Sequence, residues 1–155
     1  MAPLIVQIVA TLLARWFVKW TDAVRIGLAV MLLFTAGSHF SALKYDLAAM
    51  IPPPLTGALW LIHLTGILEA AGAIGLLTLR VRRLAAWGLI ALLVALFPAN
   101  VHASLSGLTL GGAAATPLWI RAPLQLFWIV LLWRTSLATD RAHSSPVLRS
   151  DQPRS

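Results

Sequence analysis

The chain has 155 residues, of which 59% are hydrophobic and 11% are charged, and it contains no cysteine. A soluble domain usually carries about 45–50% apolar and about 25% charged residues, so this composition indicates an integral membrane protein in contact with the lipid bilayer. The absence of cysteine excludes disulfides, thiolate metal sites and dithiol redox motifs.

The N-terminal segment, residues 1–20, is apolar over residues 3–14, which would make about 18 Å of helix before Arg15 and Lys19. We expect an interfacial helix on the membrane surface, with aromatic residues dipping into the headgroup region. A short spanning helix is the alternative, and the charge pattern cannot decide because residues 1–14 contain no Lys or Arg.

Four further apolar runs predict an all-α fold, a bundle of four transmembrane helices over residues 21–135. The runs cover residues 26–40, 55–79, 84–99 and 117–133. Between the first two runs, three consecutive prolines exclude a helix, and before the last run Thr116 and Pro117 predict an N-cap and a first helical residue. The polar residues 136–155 predict a disordered tail.

The net charge of +7 comes from 12 Lys and Arg against 5 Asp and Glu. The basic residues stand in short clusters at the ends of apolar runs, which is typical of membrane topology signals and not of nucleic-acid binding. If the basic turn at residues 80–83 is cytoplasmic, all the basic residues except Lys44 and Arg121 lie on that side. We therefore expect a multi-pass protein of the bacterial cytoplasmic membrane with its C-terminus in the cytoplasm.

Glu69 lies in the middle of the second run, where an ionised carboxylate costs at least about 2.5–3.5 kcal/mol. Its neighbours are small, so its face is predicted to contact another helix; these neighbours are Thr65, Gly66, Ala70, Gly72 and Ala73. Two interpretations stay open, a structural glutamate that locks the bundle and a catalytic or coupling carboxylate that handles protons.

The fourth run offers a counter-charge, because Arg121, Gln125 and Trp128 share one helix face. An ion pair between Arg121 and Glu69, bridged by Gln125, would offset much of the cost of burying both charges. Snorkelling of Arg121 to the membrane surface is the alternative.

His39 and Asn100 end the first and third runs near the depth of Arg121. They complete a predicted outward-opening polar pocket made of His39, Glu69, Asn100, Arg121, Gln125 and Trp128. A metal site of His39, His63 and His102 with Glu69 is conceivable, but no H-x-x-E-H-type spacing supports it, and we predict none.

Several segments carry a family resemblance in their order along the chain: AGSHF (36–40), TGILEAAGAIGLL (65–77), FPANVHAS (97–104) and RAPLQ (121–125). Over residues 25–135 the sequence resembles the DoxX-like family of small bacterial membrane proteins. The resemblance implies a four-helix membrane bundle, recurring polar residues at His39, Glu69, Asn100, Arg121 and Gln125, and an association with redox systems such as thiosulfate:quinone oxidoreduction.

The leading functional hypothesis is a quinone-associated membrane subunit of a redox system, which is not an enzyme on its own. Arg121, Gln125 and Asn100 would hold the carbonyl groups of a quinone, Glu69 would handle protons and Trp128 would flank the ring. Other subunits of the redox complex would then be its partners. The alternatives are a small-solute or proton-coupled transporter, which would need a homo-oligomer, and a structural partner in assembly of a membrane complex.

Overall fold

A computed structural model describes residues 2–138 of the chain, and these residues are mostly helical, which confirms the predicted all-α class. The elements follow in chain order: α1 (Ala2–Ala14), α2 (Trp20–Ser38), α3 (Lys44–Ala49), α4 (Leu59–Leu77), α5 (Arg82–Leu105), β1 (Thr109–Leu110), β2 (Ala113–Ala114), α6 (Leu118–Trp133) and a π-helical turn (Arg134–Ala138).

Three of these helices, α2, α4 and α5, are long and apolar enough to cross a membrane, with 19, 19 and 24 residues. The helix α6 has 16 residues and α1 has 13. The helices α4 and α5 differ at their ends from the second and third predicted runs. The prolines and Gly57, whose φ is 80°, delay the start of α4, while α5 continues through Pro98 to Leu105.

The helix α2 lies at the centre of the bundle and packs most extensively against α1 and α4. One cluster of buried side chains joins it to the other long helices; its leucines are Leu28, Leu32, Leu76, Leu89, Leu132 and Leu137. Lipid tails are as apolar as leucine, so in a membrane these contacts would stabilise the bundle through close packing and not through exclusion of water.

One end of the bundle, where α2 ends and α4 begins, is covered by α3 and by the β1–β2 hairpin. We call it the capped end. The backbone N–H of Gly111 in the hairpin donates to Asp46 Oδ2 of α3 at 2.8 Å, and His102 Nδ1 lies 3.1 Å from the carbonyl oxygen of Met50. Because these contacts connect α3, α5 and the hairpin, they fix the cover over the helix ends.

The opposite end carries the α1–α2 and α4–α5 connections with their basic residues, and we call it the basic end. Here Arg25 is buried, and it donates to the Asp22 carboxylate and to the carbonyl oxygen of Thr135. These contacts explain why α2 begins at Trp20, before the apolar run, since the charged groups of its first turns have partners within the fold.

The N-terminal helix α1 packs along α2, and the approach is close at Gly27. A Cβ atom at Gly27 would lie 2.0 Å from Thr11 Oγ1 and 2.8 Å from the carbonyl oxygen of Gln7. Gln7 and Thr11 are the buried residues of α1. The helix α1 is therefore a component of the bundle.

Two predicted boundaries around α6 differ from those in the structure. Pro117, not Thr116, is the N-cap residue, and the backbone N–H of Leu118 donates its hydrogen bond to Ser104 Oγ at 3.0 Å. The tail predicted to be disordered from residue 136 begins with residues that belong to the π-helical turn, where Ser136 and Leu137 are buried. Residues 139–155 of that tail lie outside the described residues.

Candidate functional site

The carboxyl group of Glu69 faces α2, and with Thr35 and His39 it forms what we call the Glu69 cluster. Thr35 Oγ1 lies 2.7 Å from Glu69 Oε1 and 3.0 Å from the carbonyl oxygen of Leu32. His39 Nδ1 lies 3.1 Å from the carbonyl oxygen of Thr35 and 3.7 Å from Glu69 Oε2. The side chains of His39 and Glu69 are each 12% exposed, so both titratable groups are largely buried.

The small residues around Glu69 form a helix contact face, as predicted. A Cβ atom at Gly66 would lie 2.7 Å from the Cβ of His39, and Ala73 is completely buried in the core shared with α2. Gly72 is equally close to Leu89 of α5. The small residues of α4 thus allow close approach of its neighbours, and Glu69 reaches Thr35 of α2.

A second group of polar side chains, the Arg121 network, joins α5 to α6. An N–H of Arg121 donates to Asn100 Oδ1 at 2.9 Å, and Asn100 Nδ2 donates to Gln125 Oε1 at 3.2 Å. Gln125 Nε2 in turn donates to the carbonyl oxygen of Leu93 at 2.7 Å. The three side chains therefore form one directional chain of hydrogen bonds that ends on the backbone of α5.

Trp128 belongs to the same face of α6, and its indole N–H donates to Gln7 Oε1 of α1 at 2.8 Å. This bond connects the N-terminal helix to α6. A buried tryptophan N–H usually has a partner, and Gln7, itself 4% exposed, is that partner.

The predicted ion pair between Glu69 and Arg121 is not formed within residues 2–138, where Glu69 contacts α2 and Arg121 contacts Asn100. The prediction assumed that the two charges of opposite sign would compensate each other. Thr35 and Asn100, uncharged side chains on the neighbouring helices, supply the contacts instead.

Two cavities lie between the helices at the capped end. The Arg121 cavity has a volume of about 440 Å³ and is bounded by α1, α5, the hairpin and α6; its polar lining comes from Asn100, Thr116, Arg121, Gln125 and Trp128. The His39 cavity has a volume of about 300 Å³ and is lined by His39, Thr65 and apolar residues of α3, α4, α5 and the segment after α3. Leu93 and Asn100 line both cavities, and Glu69 lines neither of them.

The predicted pocket is therefore divided. Asn100, Arg121, Gln125 and Trp128 lie together at the Arg121 cavity, His39 lies at the other cavity, and Glu69 lies behind His39 at the α2–α4 contact.

Arg121 is the charged residue of the Arg121 cavity. Asn100 Oδ1 is the one side-chain acceptor that it contacts in the described part of the chain, and no carboxylate there lies within 4 Å. A guanidinium has five N–H donors, so most of its hydrogen-bonding capacity is left for something else. The cavity thus combines an apolar lining with a cation that can receive an acceptor group.

In residues 2–138 no group of three or more His, Cys, Asp or Glu side chains could hold a metal ion. His63 stacks on Phe40, with ring centroids 5.6 Å apart, and His102 contacts the backbone of Met50. Both histidines therefore contact other parts of the fold.

Two participants, Gln7 and Thr35, were not predicted. Gln7 and Thr11 are four residues apart in an otherwise apolar segment, which is the same signal that singled out Arg121 and Gln125. Thr35 precedes His39 by one helical turn, so the sequence already indicated that the Thr35 hydroxyl lies on the same helix face as His39.

The fold and the cavities define a class: an all-α protein with helices that fit a membrane and with an arginine-bearing cavity between them. Residues 28–136 match the family described as a domain of unknown function (DUF8561), and the chain belongs to that family. The matched residues include the Glu69 cluster and the Arg121 network, whereas α1 precedes them. No curated protein and no solved structure matches the chain.

Proposed function

We propose that the protein is a membrane-embedded, quinone-associated subunit of a redox system, of the DoxX-like type, which binds the quinone headgroup in the Arg121 cavity. The observation that carries the proposal is the position of Arg121, whose guanidinium lines an otherwise largely apolar cavity of about 440 Å³ and has no carboxylate partner in residues 2–138. Ligand pockets of small amphipathic molecules have this combination of size, apolar lining and a few convergent donors.

The membrane placement is part of the proposal. The spans would be α2, α4 and α5, and the fourth would be α6, whose 16 residues continue into the five of the π-helical turn. The basic end would face the bacterial cytoplasm, following the positive-inside rule. The packing of α1 along α2 supports a short membrane-embedded helix over an interfacial one.

Each residue of the network has a distinct role in this proposal. Both polar atoms of the Gln125 side chain are engaged, by Asn100 and by Leu93, so Gln125 fixes the orientation of Asn100. Asn100 in turn holds one N–H of Arg121. The remaining N–H groups of Arg121 would donate to a quinone carbonyl oxygen, and Trp128 would pack beside the ring.

The test is direct binding of a short-chain quinone to the purified protein in lipid nanodiscs. Arg121→Gln removes a charged donor, which is worth about 1.5–3 kcal/mol, so the dissociation constant should rise about 10- to 100-fold. Arg80→Gln is the matched control, because Arg80 is exposed in the α4–α5 turn at the basic end and does not line the cavity, and this variant should bind like the wild type. Equal affinity of the Arg121→Gln variant, or no binding by the wild-type protein, would refute the proposal.

A structural role is the second candidate, and the position of Glu69 favours it over transport. Glu69 contacts α2 at the helix interface and lines neither cavity, so a solute in these cavities would not meet its carboxyl group. Proton-coupled flux into liposomes that disappears in Glu69→Gln would contradict this and support the transport alternative.

A further inference from the structure

If Glu69 were ionised, the Glu69 cluster would contain too few protons for the hydrogen bonds that its distances indicate. The hydroxyl of Thr35 has a single proton, yet two oxygen atoms lie within hydrogen-bonding distance: the carbonyl oxygen of Leu32 at 3.0 Å and Glu69 Oε1 at 2.7 Å. Threonine hydroxyls within helices commonly donate to a carbonyl three or four residues earlier, and Leu32 is three residues earlier. The shorter contact then lacks a proton, unless Glu69 supplies it.

The other carboxyl oxygen leads to the same conclusion. Glu69 Oε2 is buried and has no hydrogen-bond partner. The nearest charged candidate is His39, whose Nδ1 is 3.7 Å away, beyond a hydrogen bond, and lies 3.1 Å from the carbonyl oxygen of Thr35 instead. An ionised carboxylate would leave a charged oxygen without a hydrogen-bond partner in an apolar interior, which is strongly unfavourable, whereas the carbonyl oxygen of a neutral acid carries much less charge.

The charged groups around Glu69 do not change this conclusion. From α2, His39 is the titratable residue that faces it, and no Lys or Arg of residues 2–138 lies within 4 Å of the carboxyl group. From α5, the contact beside this segment of α4 is made by Leu89, which is apolar.

We propose that Glu69 is a proton-binding site inside the bundle, where it is a neutral carboxylic acid whose Oε1–H donates to Thr35 Oγ1. Thr35 then donates to the carbonyl oxygen of Leu32, and a neutral His39 donates through Nδ1–H to the carbonyl oxygen of Thr35. Every donor in this arrangement has an acceptor. His39 lines the His39 cavity, and its Nδ1 lies 3.7 Å from Glu69 Oε2, so it is the titratable group through which the acid would exchange protons with that cavity.

The sequence provides an unusually clean test, because Glu69 is the one glutamate of the chain. In the full-length protein in lipid, labelled with carboxyl-¹³C glutamate, isotope-edited infrared spectroscopy reports the protonation of this single side chain. We expect the C=O band of a protonated carboxylic acid at neutral pH, and its absence in an identically labelled Glu69→Gln variant. Thr35→Ser should keep the band, whereas Thr35→Val should move it to higher frequency, because the acid loses its hydrogen-bond acceptor.

The His39→Gln variant distinguishes a neutral pair of Glu69 and His39 from an ion pair. In a neutral pair, His39→Gln leaves the acid band in place, as in the wild type. In an ion pair, the wild type shows carboxylate bands at neutral pH, and the acid band appears after His39 is removed. Carboxylate bands in the wild type would overturn the proposal. The proposal is independent of quinone binding, since the spectrum is recorded without added quinone and Arg121 is unchanged in all these variants.

Discussion

The packing of α1 on α2 can be tested by a single methyl group at Gly27. A Cβ atom there would lie 2.0 Å from Thr11 Oγ1 and 2.8 Å from the carbonyl oxygen of Gln7, whereas ordinary contacts are 3.4–4 Å. The Thr11 side chain can rotate away, but the Gln7 carbonyl belongs to the backbone. The Gly27→Ala variant therefore accommodates its methyl group only if α1 moves away from α2.

The magnitude follows from two opposing terms. Forcing a methyl group into a packed interface costs about 1–3 kcal/mol, while replacing glycine by alanine within a helix gains about 0.5–1 kcal/mol. We expect a net loss of about 1–2 kcal/mol, which lowers Tm by several degrees in a chain of this size. Gly37→Ala is the matched control in the same helix, because its added Cβ would meet nothing within 4 Å, and it should leave Tm equal or higher.

The assay combines thermal unfolding in detergent with hydrogen–deuterium exchange of the α1 amides. Gly27→Ala should lower Tm and accelerate exchange over Ala2–Ala14, while Gly37→Ala does neither. If both variants have the same Tm and the same exchange in α1, then α1 does not pack along α2. The short membrane-embedded helix would then lose its support in favour of the interfacial helix.

Two further contacts give predictions of their own. Gln7→Leu should cost about 1 kcal/mol, because the partly buried N–H of Trp128 loses its acceptor. The double variant Gln7→Leu/Trp128→Phe should recover part of the loss of Tm relative to the sum of the single variants, and strict additivity would contradict the hydrogen bond. Asp46→Ala removes the acceptor of the Gly111 N–H, so hydrogen–deuterium exchange of that amide should accelerate while the Tm of the bundle changes little. Unchanged exchange would show that the hairpin is held without Asp46.

The helices were predictable because they follow from composition and from helix breakers that act locally. The apolar run and the prolines indicate α4 without knowledge of its neighbours, and small residues beside Glu69 indicate that this face meets another helix. The ends of the helices were less predictable. The start of α2 depends on a contact between Arg25 and Thr135, residues that are remote in the sequence.

The site was predictable by residue type and not by pairing. Arg121, Gln125 and Asn100 were selected because polar groups in an apolar run need partners, and the structure brings these three together. Periodicity along one helix says which residues share a face, but not which neighbouring helix that face meets. The predicted pairing of Glu69 with Arg121 failed on this point, since α4 turns the carboxyl group toward α2.

The few charges buried between the helices are stabilised in three different ways, and the difference indicates where a ligand belongs. Arg25 is neutralised by Asp22 and by the carbonyl oxygen of Thr135, within the fold. Glu69, in our proposal, avoids ionisation by retaining its proton on the oxygen that faces Thr35. Arg121 is stabilised in neither way. A guanidinium does not give up its proton in proteins, and Asn100 supplies a neutral oxygen to only one of its donors. A cation in that position is stabilised when the cavity beside it holds an acceptor, and this is the physical reason for our proposal that a ligand binds in the Arg121 cavity.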